Sequence, residues 1–184
     1  MSSIRRAGQT GNVTHSTKGT SSLQIPKAGR CNSTALRKAT RRVSQLYDVV
    51  LAPTGLRSTQ RSMLIYIARA EEPTVGELAA SLALDRSALA HNLKPLERDG
   101  FVKVVADLKD KRTRRVILTD AGQKKLDESM VLWEQAQQCF ETVFGEKKAE
   151  ALRVSLEFIA STGFAQAFRN LKESQPERAR NKEH

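Results

Sequence analysis

This 184-residue chain lacks paired cysteines, a usable set of histidines and any long apolar run. Cys31 and Cys139 lie far apart and form no CxxC pair. That excludes a disulfide framework and a cysteine-based metal site. His15 and His184 fall near the ends, so His91 is the one histidine in the body. A single histidine argues against zinc chemistry and most His-dependent catalysis. No apolar stretch approaches the roughly 18 residues of a membrane span, so no membrane partner is expected. There is no phosphate-binding glycine loop, nucleophile elbow or clustered carboxylate pair. The chain is therefore read as no enzyme, with no cofactor and no bound metal.

Positive charge is what it has. The formal net charge is +11, which points to a polyanionic partner, nucleic acid first. Residues 1–30 carry five bases and no acid, and "KDKRTRR" (109–115) carries five bases and one acid. These two segments hold nine of the eleven net charges. A dense cationic cluster within seven residues says more than the total.

Residues 1–30 are Ser-, Thr- and Gly-rich and read as a disordered basic arm. Their composition also fits an organelle transit peptide. From Asn32, apolar residues recur at helical spacing: Leu36, Ala39, Val43, Leu46 and Val50. A second helix runs from about Ser58 to Ala70. Thr74 and Glu77 have capping-box spacing at the start of a short third helix. "DRSALAHNLKPLERDG" (85–100) follows, capped by Asp85. "FVKVVA" (101–106) and "RRVILT" (114–119) read as a hairpin around the basic turn. A long helix carries Leu126, Met130, Trp133, Phe140 and Phe144 in one row. A last helix is expected from about Glu146 to Leu171, with a frayed end beyond. The fold class is mainly α with a small β-wing: a winged helix-turn-helix with flanking helices. Those flanks carry more apolar surface than so small a middle can cover, so a second copy of the chain is expected on them.

In the fourth helix, Leu89, Leu93 and Leu96 share one face at about 100° per residue. Ser87, His91, Lys94 and Arg98 lie opposite, flanked by Ala88 and Pro95, with Arg86, Ala90 and Asn92 at the margins. This outward face is small at its start and donor-rich further on, as a helix entering a major groove requires. Pro95 falls near that face. The carbonyl of His91 that it leaves unpaired can meet water, so one helix from Arg86 to Arg98, bent near Lys94, is expected rather than two. At the hairpin tip, Asp110 stands two residues before Arg112 and is positioned to brace its guanidinium. The tip cations Lys111 and Arg112 can then reach a narrow minor groove.

Three stretches in order, "GLRSTQ", "TVGELAASLALDRSALAHNLKPLERDGFV" and "DLKDKRTRRVILTDAG", make residues 32–170 resemble the MarR family of winged helix-turn-helix regulators. The resemblance implies a bacterial, cytoplasmic, nucleoid-associated homodimer on double-stranded DNA. The dimer would be a repressor on a pseudo-palindromic operator. The implied organisation is an N-terminal dimerisation helix in 31–57, a DNA-binding domain over 58–119, C-terminal dimerisation helices over 120–171 and a flexible tail over 172–184. Carried over by position, Arg86, Ser87, Ala88, His91, Asn92 and Lys94 read the major groove. Asp110, Lys111, Arg112 and Arg114 form the wing, and Thr74 and Arg98 meet phosphates. Two positions depart from the family: Arg57 stands where a Thr cap is usual, and His91 where Arg is common. The resemblance further implies release by a small effector, an aromatic acid or its thioester. Pocket candidates are Leu46, Tyr47, Val50, Tyr66 and Trp133. The rival readings are peroxide sensing through Cys31, which directly precedes a helix start, and non-specific architectural DNA binding.

Overall fold

Residues 29–180 are described by the structure, a computed structural model. Residues 1–28 and 181–184, which take in most of the expected basic arm and the end of the expected tail, lie outside the described residues. The chain divides into a unit ending at Arg37 and a unit from Lys38 onward. The wing, the recognition helix and the cavities below all belong to the second.

Seven α-helices, a short 3-10 turn (Ala52–Thr54) after the first of them, and one hairpin make up the order among the described residues: α1 (Asn32–Leu51), α2 (Ser58–Ala70), α3 (Val75–Ser81), α4 (Arg86–Arg98), β1 (Val102–Ala106), β2 (Arg114–Leu118), α5 (Asp120–Phe144), α6 (Glu146–Ala160) and α7 (Thr162–Arg180). None is long and apolar enough to cross a membrane. The middle of this order is a winged helix-turn-helix, and the strands pair antiparallel from Val102↔Leu118 to Ala106↔Arg114.

Local chemistry sets the boundaries. The α3 box closes in both directions: Thr74 Oγ1 accepts from Glu77 N at 3.1 Å, and Thr74 N donates to Glu77 Oε2 at 2.8 Å. Asp85 Oδ1 accepts from Ala88 N at 2.7 Å and caps α4. Arg57 cannot accept a hydrogen bond, and two other side chains cap α2 instead. Gln60 Oε1 takes Arg57 N at 2.9 Å, and Asp48 Oδ1 of α1 takes Ser58 N at 2.6 Å. Pro95 remains inside α4, as the outward placement of its turn allows.

The single last helix expected over 146–171 is two helices. Ser161 is extended (φ −69°, ψ 151°), and its hydroxyl accepts from Phe164 N at 3.1 Å, capping α7. The end expected to fray from residue 172 is helical as far as Arg180.

The core lies under the recognition helix. Leu89, Leu93 and Leu96 of α4 pack with Leu64 and Ile67 of α2, Leu78 of α3, Val102 and Val116 of the hairpin and Leu126 of α5. All are nearly inaccessible to water. Burying three leucines on one face of α4 leaves the opposite face out in solvent, and that fixes the rotation of the helix about its axis.

Gly122, in the first turn of α5, permits the tightest approach at any glycine among the described residues. A Cβ there would sit 2.1 Å from the carbonyl oxygen of Phe101. The Leu118 Cδ1 atom, at 2.8 Å, could turn aside, but the backbone of Phe101 could not. Gly122→Ala is therefore expected to cost about 3 kcal/mol of stability, read as a lowered denaturant midpoint with an unchanged slope. An unchanged midpoint would mean that α5 can shift away without loss.

Candidate nucleic-acid interface

Arg86, Ser87, Ala90, His91, Lys94 and Arg98 are exposed along α4, and Ala88 is half-buried. Arg98 pairs with Asp99 at 2.9 Å, and that carboxylate raises the guanidinium pKa further. Asn92 departs from its expected place. It is half-buried and lines a cleft with α1 and α2, so it faces away from the exposed stripe. It lay at the margin of the helical projection, where a few degrees decide the side.

The wing is built on a carboxylate, but on a different one from that expected. Asp110 does not brace the guanidinium of Arg112. Its Oδ1 accepts the backbone N of Arg112 at 3.0 Å, and its Oδ2 accepts the hydroxyl of Thr113 at 2.9 Å, closing the turn. The ion pair of the wing joins Arg115 Nε to Asp107 Oδ2. Asp107 is buried, and its Oδ1 also accepts the amides of Lys109 and Asp110 at 2.7 and 3.0 Å. The bond from Arg115, then these amides, lower the Asp107 carboxyl from 3.8 to about 2.

Arg115 reaches further. Its Nη1 donates to the carbonyl of Glu72 at 2.8 Å, in the turn between α2 and α3. Glu71 and Glu72 both sit in the left-handed region, at φ 46° and 65°, which non-glycine residues seldom adopt. The backbone of β2 reinforces the link, since Val116 N donates to Pro73 O at 2.9 Å. One arginine thus ties the wing to the start of the helix-turn-helix.

Two other wing cations, Arg112 and Arg114, stand beside α3 and α4. Arg86, Arg112 and Arg114 line a cavity of about 280 Å³ with Thr74 and Gly76 at the start of α3. No carboxylate lines it. Thr74 N and Glu77 N are committed to the capping box, so the amides left at that helix end are those of Val75 and Gly76. Three guanidinium groups beside two spare amides suit a phosphate. Lys109 and Lys111 are exposed at the tip.

Three of the five pocket candidates come together. Leu46, Tyr47 and Val50 line an almost wholly apolar cavity of about 450 Å³ with Ala136 and Phe140 of α5. Tyr47 Oη donates to Gln137 Oε1 at 2.9 Å, and burial raises its pKa. The other two stand elsewhere. Tyr66 lies beside Glu72, Pro73 and Arg115, and the Trp133 ring lies 4.6 Å from the guanidinium of Arg61. Arg61 is a residue that sequence reading missed. It is buried at 5% exposure, and its Nε donates to the buried Ser129 hydroxyl at 3.0 Å, tying α2 to α5. Nothing in helical spacing separates such an arginine from a surface one. Cys31 is exposed just before α1, where the hydroxyl and amide of Thr34 hold its thiol below the ordinary pKa.

Known proteins share this architecture. The sequence model described as the MarR family matches residues 54–113. The transcriptional regulator MosR of M. tuberculosis, solved with DNA, is 33% identical over 76% of this chain and 98% of its own, with a TM-score of 0.67. The repressor CouR, solved on a 23-mer duplex, is 25% identical over 71% of this chain and 93% of its own, with a TM-score of 0.65. The transcriptional activatory protein BadR of Rhodopseudomonas palustris is 38% identical over 71 residues, which are 37% of this chain. This chain spans only 41% of BadR's length.

Asp107→Asn removes the charge that holds Arg115. It is expected to weaken DNA binding by about tenfold, measured by fluorescence anisotropy, with the fold intact by circular dichroism. Because the folded pKa lies below the ordinary value, ionised Asp107 favours the folded wing above pH 4. That contribution fades as pH falls from 3.8 toward about 2. The wild-type unfolding midpoint should therefore drop more steeply than that of the Asn variant across this window. Parallel profiles would show that the pair does not hold the wing.

Proposed function

The chain belongs to the MarR family of transcriptional regulators, DNA-binding proteins rather than enzymes, and from that premise we propose a homodimeric repressor of a pseudo-palindromic operator. Each α4 enters a major groove, and each wing tip reaches the flanking minor groove, with half-sites about one turn apart. It works on the nucleoid, in the cytoplasm. The observation that carries this reading is the exposed stripe of Arg86, Ser87, His91 and Lys94 beside the arginine cavity at the wing. The stripe offers donors to base edges, and the cavity a seat for the backbone phosphate that sets register. Of the wing cations, Lys111 at the tip is the minor-groove group in this reading. Arg112 is shared between that groove and the phosphate seat.

Large apolar side chains left in solvent support the dimer. Val49 of α1, Val143 of α5, Phe158 of α6 and Phe168 and Leu171 of α7 are between 63% and 90% exposed. Large apolar side chains left this exposed on several helices are commonly covered by a partner. Repression is preferred because CouR, a repressor, is matched over nearly its whole length, whereas the activator BadR is matched over less than half. Release by a small ligand is the remaining part of the reading. The apolar cavity at Leu46, Tyr47 and Val50 has the size and lining for an aromatic ring or acyl chain.

Light scattering should give twice the 20.4 kDa chain mass at micromolar concentration. Arg112→Ala should reduce the slope of log K against log salt by about 1. His91→Ala should lower the preference for operator over random duplex more than it lowers binding to random duplex. A wild-type protein that binds operator and random DNA alike would favour an architectural role instead.

A further inference from the structure

The inner face of α2 buries Met63, Leu64 and Ile67, and with them one charged residue, Arg61. Arg61 is 5% exposed, yet no carboxylate pairs with it among the described residues. The polar contacts of its guanidinium lie on α5. Nε donates to Ser129 Oγ at 3.0 Å, Nη2 donates to Met130 Sδ at 3.1 Å, and the group lies over the Trp133 ring. Burial, and then the like charge of Arg69, lower its pKa. A buried cation without a counter-charge is costly to a fold. A hydroxyl, a thioether and an aromatic face offset only part of that penalty.

The place of these contacts along α5 gives them a use. α5 begins inside the winged helix-turn-helix, where Gly122 meets the Phe101 carbonyl and Leu126 packs in the core under α4. Further on, Ala136 and Phe140 line the apolar cavity shared with α1. Ser129, Met130 and Trp133 occupy the stretch between the two. Ser129 is fully buried, and its hydroxyl donates to the Leu126 carbonyl at 2.6 Å, so the oxygen that receives Arg61 is itself fixed by backbone. A planar guanidinium held at two nitrogens and stacked on a ring defines one setting of α2 against α5. An apolar side chain of the same volume fills the space but has no directional bonds to define that setting.

We propose that Arg61 is a positioning residue that sets the winged helix-turn-helix on α5 and thereby the half-site separation that the paired molecule accepts. The exposed apolar residues Val143, Phe158 and Phe168, which a second copy covers in the paired reading, all lie beyond this joint. The distance between the two α4 helices then depends on how each DNA-binding half is set on its own α5. A joint held by directional bonds gives one distance, and a joint of apolar contacts alone gives several. Affinity for the preferred separation falls in the second case, because the ordering is left to the moment of binding. The inference rests on the paired, DNA-binding reading above and concerns which separation is read, not which bases.

The test selects duplexes from a random-sequence pool with the full-length wild type, with Arg61→Met and with Ser129→Ala, and sorts the recovered pairs of half-sites by separation. Wild type should enrich one separation. Arg61→Met removes the uncompensated charge and leaves no orphan, since Ser129 still bonds Leu126, so the fold is expected to stand. Its preference for the wild-type separation over one a base pair longer or shorter should fall about fivefold. The bases within each half-site should not change, because the outer stripe of α4 is untouched. Ser129→Ala keeps the charge, loses the acceptor and should relax the same preference. If Arg61→Met does not fold, Ser129→Ala decides by the same readout. A residue that only stabilised the fold would weaken binding equally at every separation. That equal loss, an undiminished preference, or altered bases within the half-sites would each overturn the proposal. Wild type that enriches single half-sites, or no sequence at all, would overturn the paired reading itself and the separation role with it.

Discussion

The bond network of Arg115 governs how the nucleic-acid face is assembled. A two-stranded hairpin with a polar tip has little apolar surface of its own and is marginal by itself. Here one guanidinium joins the Asp107 carboxylate in the wing turn to the Glu72 carbonyl before α3. The turn it holds is strained, with two consecutive glutamates at positive φ. The network therefore holds the wing and the helix-turn-helix in one relative position. The cavity formed by Arg86 of α4 with Arg112 and Arg114 of the wing exists because of it. Three like charges stay together without a carboxylate among them because the backbone has been fixed by other means.

The two sides of α4 use opposite chemistry. Its outer stripe offers cations and donors, suited to a polyanion whose grip weakens with salt. Its inner margin, at Asn92, meets a cleft of hydroxyls and apolar carbons without charge. Between them the Leu89, Leu93 and Leu96 row locks the helix into the core.

Much of this frame was legible in the residues. Element order, the capping box at Thr74, the Asp85 cap and the exposed stripe of α4 all follow from spacing, because short-range periodicity and caps are local. What escaped depends on the third dimension. "DLKDKRTRR" holds two aspartates and five cationic side chains that compete for them, and only the hairpin register decides that Asp107 takes Arg115 while Asp110 turns to its own backbone. Asn92 sat at an angle where the projection could not choose a side. Tyr66 and Trp133 share aromatic chemistry with Tyr47, but α2 and α5 carry them to other neighbours. The break at Ser161 was visible only as "STG" between two apolar runs, a weak stop inside a strong period.

The central claim is that paired copies lay α4 into adjacent major grooves with their wings outside them. Hydroxyl-radical footprinting of the bound operator tests it most directly. The account predicts two equivalent protected half-sites about one helical turn apart, each with an outer minor-groove patch that disappears when Lys111 and Arg112 are both changed to alanine. A single protected patch, or uniform protection along any duplex, would contradict it.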